Sequence, residues 1–286
     1  MKQADVIILA GQSNAVGVGH TEYLPRHFSE EKIREYTDGY ARIPINYHSH
    51  DKRSGGFVPV TVGCTELSKQ TLGPEVGMAE VLTAARPERD IFIVKCAVGG
   101  TSLWRDWISP RSGDPYDPTA DADQVEDAVW CINNGLPLRG GWCYNQLVKL
   151  ARESLACLEA QGYTPRIRGF CWMQGEADAV TDELVAAYGV RYDNMLADLT
   201  EALAPYMEGC VFVDAGISEI WPKYKELNAV KRAYAEARED GRYISTIDSG
   251  LTTRNEPEGE PDIYHYDVAS TVRLGQLFAE ALLDNL

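Results

Sequence analysis

Four short segments of this chain carry residue types that can act together on a carbonyl group. The first, Gly11-Gln12-Ser13-Asn14, stands directly behind the apolar run Val6–Ala10. A serine at a strand-to-helix turn is exposed at the carboxyl edge of its strand, beside backbone N–H groups that favour an oxyanion. The same serine can equally be a helix N-cap with no chemistry. The second segment, Ala97-Val98-Gly99-Gly100-Thr101-Ser102, closes the run Ile91–Ala97. A glycine there lets a substrate approach the backbone closely, so that its N–H can hold developing negative charge. An ordinary turn has the same composition.

The third segment is Cys171-Trp172-Met173-Gln174-Gly175-Glu176-Ala177-Asp178. Gln174 offers an amide donor and Glu176 a carboxylate at another strand end, although a plain polar loop would read alike. The fourth is Asp262-Ile263-Tyr264-His265. Histidine is the natural base near neutral pH. A carboxylate three residues earlier can hold its other ring nitrogen and stabilise the imidazolium. The chain has five histidines. His48-Ser49-His50 lacks a third metal ligand nearby and reads as a solvated loop, while His20 and His27 have no supporting pattern. The order Ser…Asp…His is that of a hydrolase triad, without the G-x-S-x-G elbow. No phosphate-binding glycine motif occurs.

Elements that would position these residues are legible in the hydrophobic pattern. Val6–Ala10, Ile91–Ala97, Ile167–Met173, Val211–Ile217 and Tyr243–Ile247 are near-continuously apolar, as strands buried on both faces are. Between them lie helical spacings: Leu147, Leu150, Ser154 and Leu158; Leu184 to Leu203 behind Asp182; Leu227 to Ala237; and Val272 to Leu282. Alternating strand and helix predicts an α/β fold, a parallel sheet with helices on both faces and ligands beyond the carboxyl ends of the strands. With no repeat or linker, residues 1–286 read as one domain. The Pro- and Asp-rich stretch 108–141 reads as a surface insertion, and 36–63 as a second wall of the site.

The composition, 44% hydrophobic and 24% charged, is globular, and no run reaches the ~20 apolar residues of a membrane span. A net charge of −16 argues against nucleic acid or an anionic membrane as partner. Seven scattered cysteines without a Cys-x-x-Cys predict buried free thiols rather than disulfides or zinc, and a cytoplasmic setting. Val6–Ala10 is too short for a signal-peptide core.

Taken together, Gly11–Asn14, Gly99–Thr101, Trp172–Asp178 and Asp262–His265 resemble the SGNH-hydrolase superfamily, in its acetylxylan-esterase and sialate O-acetylesterase branch, similar to carbohydrate esterase family 6. Gly73-Pro74-Glu75 and the stretch from His265-Tyr266 through Leu274-Gly275 also look like this branch, so the resemblance spans nearly the whole chain. It implies a three-layer α/β/α sandwich around a flavodoxin-like five-stranded parallel sheet. It further implies Ser13 as nucleophile, His265 as base and Asp262 as its orienter. The oxyanion hole would comprise the N–H groups of Ser13 and Gly99 and the amide of Gln174, supported by Glu176, Gln12 and Asn14. The implied activity is hydrolysis of short acyl esters, such as acetyl, on a carbohydrate, with no cofactor and no metal. Trp104, Trp107 and Trp172 offer flat faces for a sugar, and core packing explains Trp172 equally well. The alternatives are a carbohydrate-binding protein that has lost turnover, and a flavodoxin-like nucleotide binder, which lacks a phosphate loop.

Overall fold

The computed structural model describes residues 2–49, 52–63, 70–121 and 138–286. Its organising element is β1 (Lys2–Gly11), whose residues from Ala4 to Gly11 are all buried because strands pair with it on both sides. Asp5–Gly11 run parallel to Ile91–Ala97, the whole of β7. On the other side β1 runs parallel to β8 (Tyr163–Met173), with a register shift between Val6 and Ile7. Beyond β8 lie β9 (Val211–Ala215) and β10 (Gly241–Ile244), both parallel. The spatial order β7-β1-β8-β9-β10 is the flavodoxin order, whose switch point falls between β1 and β8. Ser13 and Gln174 follow the carboxyl ends of those two strands.

The sheet is not limited to the five strands expected. Among the described residues it has eight, because β3 (Tyr40–Ser49) pairs parallel to β7, and β4 (Lys52–Arg53) and β5 (Val58–Val60) pair antiparallel to β3. The sequence hid β3 because a strand near the sheet edge has no continuous apolar run: exposed Ala41 and Arg42 alternate with buried Ile43 and Ile45 around Pro44. His48 is consequently buried, 1% exposed beside β7, rather than solvated in a loop. A separate pair, β2 (Gly19–His20) with β6 (Thr71–Leu72), is antiparallel.

The helices lie where the spacings put them. After the short α1 (Ser13–Val16), α2 (Leu24–His27) and α3 (Glu30–Asp38) come α4 (Glu75–Ala85), α5 (Trp142–Ala160), α6 (Asp182–Ala202), α7 (Tyr224–Glu236) and α8 (Val268–Leu282). Helices α5, α6 and α7 follow one another across one face of the sheet, and α4 packs on α8 across the other. Cys96, Cys143, Cys171 and Cys210 are buried free thiols. The middle of the expected insertion, 122–137, lies outside the described residues. Its ends are joined by Gly140 N–H donating to Pro115 (2.7 Å) and by the Arg139–Asp117 ion pair (2.7 Å).

Two glycines fix the approach of α4 to α8. A Cβ on Gly275 would lie 1.8 Å from the Pro74 carbonyl oxygen, and one on Gly77 would lie 1.9 Å from that of Val272. Since α8 begins three residues after His265, this contact sets where the histidine loop can sit. Gly275→Ala must push the helices apart, and overpacking of this kind costs ~1–3 kcal/mol. The urea midpoint should fall at constant slope; an unchanged midpoint would mean that the helices separate freely.

Candidate active site

The strand ends are gathered by buried side-chain amides. Gly11 (φ 147°) ends β1 so close to β8 that a Cβ there would lie 1.9 Å from the Met173 carbonyl oxygen. Gln12 follows, nearly fully buried, and its Oε1 accepts from Gln174 Nε2 (3.3 Å), Gly175 N–H (3.5 Å) and Ala177 N–H (3.2 Å). Ser13, partly exposed, opens α1, where its N–H has no carbonyl of a preceding turn to meet.

Asn14 joins the segment bearing Ser13 to the histidine loop. Its Nδ2 donates to Glu176 Oε1 (2.8 Å) and to the Tyr264 carbonyl (3.3 Å), and its Oδ1 accepts from Tyr266 N–H (3.0 Å). The residue after Ser13 thus grips the residues on both sides of His265. His265 Nδ1 lies 2.6 Å from Asp262 Oδ2, which leaves Nε2 as the nitrogen able to take a proton. No hydrogen bond joins His265 to Ser13 Oγ among the described residues.

Gln174 has a different place from the expected oxyanion donor. Its side chain is fully buried, and Nε2 donates to Asp178 Oδ2 (2.6 Å), the Thr101 carbonyl (3.1 Å) and Gln12. Its Oε1 accepts from the Tyr188 hydroxyl (3.0 Å). With both ends engaged, Gln174 braces the ends of β1, β7 and β8 from behind. Trp172 is also not a sugar platform. It is 0% exposed, stacked between Phe170 and Tyr192 with Trp107 edge-on, and its Nε1 donates to the Tyr188 hydroxyl. A β8 side chain this large and apolar is drawn into the helix layer. Trp104 remains partly exposed, as does Gly99, whose neighbour Gly100 turns with φ 71°.

Asp178 stands within the third motif, which by itself gives it no role. Besides Gln174, Asp178 accepts from Leu103 N–H (2.8 Å) and Trp104 N–H (3.2 Å), tying the loop after Gly99 to the loop after β8. Lys231 of α7, fully buried, donates to the Gln174 carbonyl and lies 2.9 Å from Asp214. Behind the histidine loop, Glu256 Oε2 accepts from Val268 N–H (2.7 Å) and its Oε1 lies 2.9 Å from His27 Nε2. A motif read along the chain gives no sign of the Lys231–Gln174 and Glu256–His27 contacts, because their partners are far apart in sequence.

Burial dominates the electrostatics. It raises the Glu176 carboxyl above its ordinary range, against the Asn14 hydrogen bond and the nearby Lys231 and His265, which act the other way. Burial likewise raises Asp178 to about 6, against the donors of Leu103, Gln174 and Trp104. Among the described residues no cluster of His, Cys, Asp and Glu could hold a metal ion.

With this geometry in view, a family model described as carbohydrate esterase, sialic acid-specific acetylesterase, matches residues 3–284. The chain belongs to that family. This carbohydrate esterase also shares its fold with solved structures. NanS aligns at TM-score 0.68 and 18% identity, over 99% of this chain and 97% of that one. A protein of Arabidopsis thaliana aligns at TM-score 0.62 and 18% identity, over 98% of each. A carbohydrate acetylesterase from Xanthomonas citri aligns at TM-score 0.58 and 18% identity, over 97% of this chain and 55% of that one. No curated protein matches the esterase. No helix among its described residues is long and apolar enough to cross a membrane.

Two outcomes test the buried framework. Asn14→Ala strands the Tyr266 N–H and one side of Glu176, which costs ~1–3 kcal/mol. By loosening His265 it should also lower turnover ~10²-fold; unchanged turnover would show that the histidine loop is held elsewhere. For Asp178 the folded pKa lies above the ordinary 3.8, so the folded state binds this proton more tightly. Its contribution is therefore most favourable at low pH and declines as pH rises through about 6. Relative to Asp178→Asn, the wild type should gain on the order of 1–3 kcal/mol between pH 7 and pH 4 in urea titrations. A constant difference would mean that the carboxyl titrates as it does in the unfolded chain.

Proposed function

We propose that this carbohydrate esterase removes short acyl groups, acetyl foremost, from sugar hydroxyls through an acyl-enzyme on Ser13. The observation that carries the reading is the Asn14 clasp: it fastens the segment bearing Ser13 to the backbone on both sides of His265. In this reading His265 Nε2 takes the Ser13 hydroxyl proton as Oγ attacks the carbonyl carbon. Asp262, on Nδ1, steadies the imidazolium that results. The N–H groups of Ser13 and Gly99 receive the oxyanion.

Collapse of the tetrahedral adduct breaks the bond to the sugar oxygen, which leaves with the proton from Nε2. Water, deprotonated by the same nitrogen, then attacks the acyl-serine; the acyl–Oγ bond breaks, Oγ takes the proton back from Nε2, and the carboxylic acid departs and ionises in solvent. Every step is acid–base and nucleophilic chemistry of this chain's own residues. Gln174 and Asp178 keep the three strand ends in register, and Glu176 holds Asn14.

Two sugar classes compete for the assignment. The description of the family names sialic acid. The net charge of −16 favours a neutral ester such as an acetylated xylo-oligosaccharide over an anionic one. An acetate-release assay on both classes, beside p-nitrophenyl acetate, separates them. Ser13→Ala should abolish release from all three, a loss of ~10³-fold or more, with an unaltered circular-dichroism spectrum. Near-normal turnover by that variant would remove Ser13 as nucleophile, and sugar binding without release by the wild type would make the protein a binding module.

A further inference from the structure

Large apolar side chains exposed to water call for a reason when they gather at one place. Five are exposed among the described residues, and two of them, Ile263 (43%) and Tyr264 (51%), immediately precede His265. The Tyr264 ring lies against Trp221, with ring centroids 5.5 Å apart and planes inclined by 49°. The backbone beneath the ring is fixed at both ends. Tyr264 N–H donates to Asp262 Oδ1 (3.1 Å), and its carbonyl accepts from Asn14. Trp221 is anchored from another quarter, through Lys223 N–H on the Ala179 carbonyl (3.0 Å) in the loop that follows β8. The pair is therefore an aromatic shelf, built from the histidine loop and the loop between β9 and α7. It is not a stray surface ring.

Chemistry decides what such a shelf would hold. The base that takes the serine proton must hand it to the departing alcohol, so the alcohol oxygen has to reach His265. The sugar half of the ester then lies over the segment that carries this histidine, while the acyl half points toward Gly99 and Gly100. We infer that Tyr264, backed by Trp221, is the surface on which the sugar ring of the leaving alcohol stacks, with its C–H face on the aromatic ring. This inference rests on the esterase reading above and adds to it the residue that makes a sugar ester a better substrate than a simple one.

The test compares an acetylated xylo-oligosaccharide and an O-acetyl sialic acid with ethyl acetate, whose alcohol has no ring. In Tyr264→Ala, kcat/KM for the better sugar ester, divided by that for ethyl acetate, should fall about 3–10-fold, mainly through KM, since aromatic contacts of this kind are individually modest. Tyr264→Phe keeps the ring and should keep the ratio. Equal losses on both esters in Tyr264→Ala, or a ratio that does not move, would overturn the inference. Calorimetry on Ser13→Ala, with and without Tyr264→Ala, reads sugar binding apart from turnover. A 3–10-fold weaker sugar affinity in the double variant supports the shelf even if the wild type hydrolyses no ester, in which case the esterase reading alone fails. Equal affinities would sink the shelf, whatever the turnover.

Discussion

The site depends on one buried amide group. Gln174 Nε2 faces Gln12, the Thr101 carbonyl and Asp178, which belong to the loops after β1, β7 and β8 respectively. Parallel strands end beside one another, but the loops that leave them diverge unless something crosses between them. A side-chain amide is short, planar and able to donate and accept at once, and inside the protein its hydrogen bonds face no competition from water. Replacing it with an apolar side chain would remove one buried donor from each of these three. Although Asp178 keeps the N–H groups of Leu103 and Trp104, and Gln12 those of Gly175 and Ala177, the crossing between the loops would be lost. A buried group left unpaired costs ~1–3 kcal/mol. Fully buried and engaged at both ends, Gln174 serves as a brace between the strand ends.

The histidine loop is held by a second set of constraints, which meets the first at Asn14 and Glu176. From one side, α8 is seated on α4 through Gly77 and Gly275, and its first N–H is bound by Glu256. From the other, Asn14 clasps the backbone around His265 while its Nδ2 rests on Glu176. Helix packing sets the coarse position, and two hydrogen bonds set the fine one. The arrangement is not free: two carboxyls, Glu176 and Asp178, are shut away from water and pushed toward their neutral forms. That is the expected signature of a framework whose stability has been traded for position.

Much of this was legible beforehand, and the failures share a cause. The five central strands and four long helices follow from apolar runs and 3.6-residue spacing, because burial on both faces leaves a clear mark on sequence. The strand β3 left no such mark, since one side of it meets edge strands and solvent and its alternation is broken by Pro44. The resemblance brought Gln12, Asn14, Gln174 and Glu176 to the right end of the sheet. It gave Gln174 a role that depends on which way an amide points, and a motif does not carry direction. The choice between sugar face and core for Trp172 stays open in the sequence for the same reason, because a strand residue faces one layer or the other and the pleat decides which.

The sequence by itself determined the α/β class, the order of the principal elements, and the presence of a serine, a histidine with its aspartate, and a set of amides at strand ends. Only the tertiary structure decided that Asn14 is the clasp, that Asp178 ties two loops together, that Gln174 is a brace, and that Trp221 meets Tyr264, the residue before His265. Periodicity and short motifs record each residue's distance along the chain and its affinity for water. Direction and partnership across loops distant along the chain arise only when the sheet brings strand ends together, and they are settled by which donors and acceptors remain once water has gone.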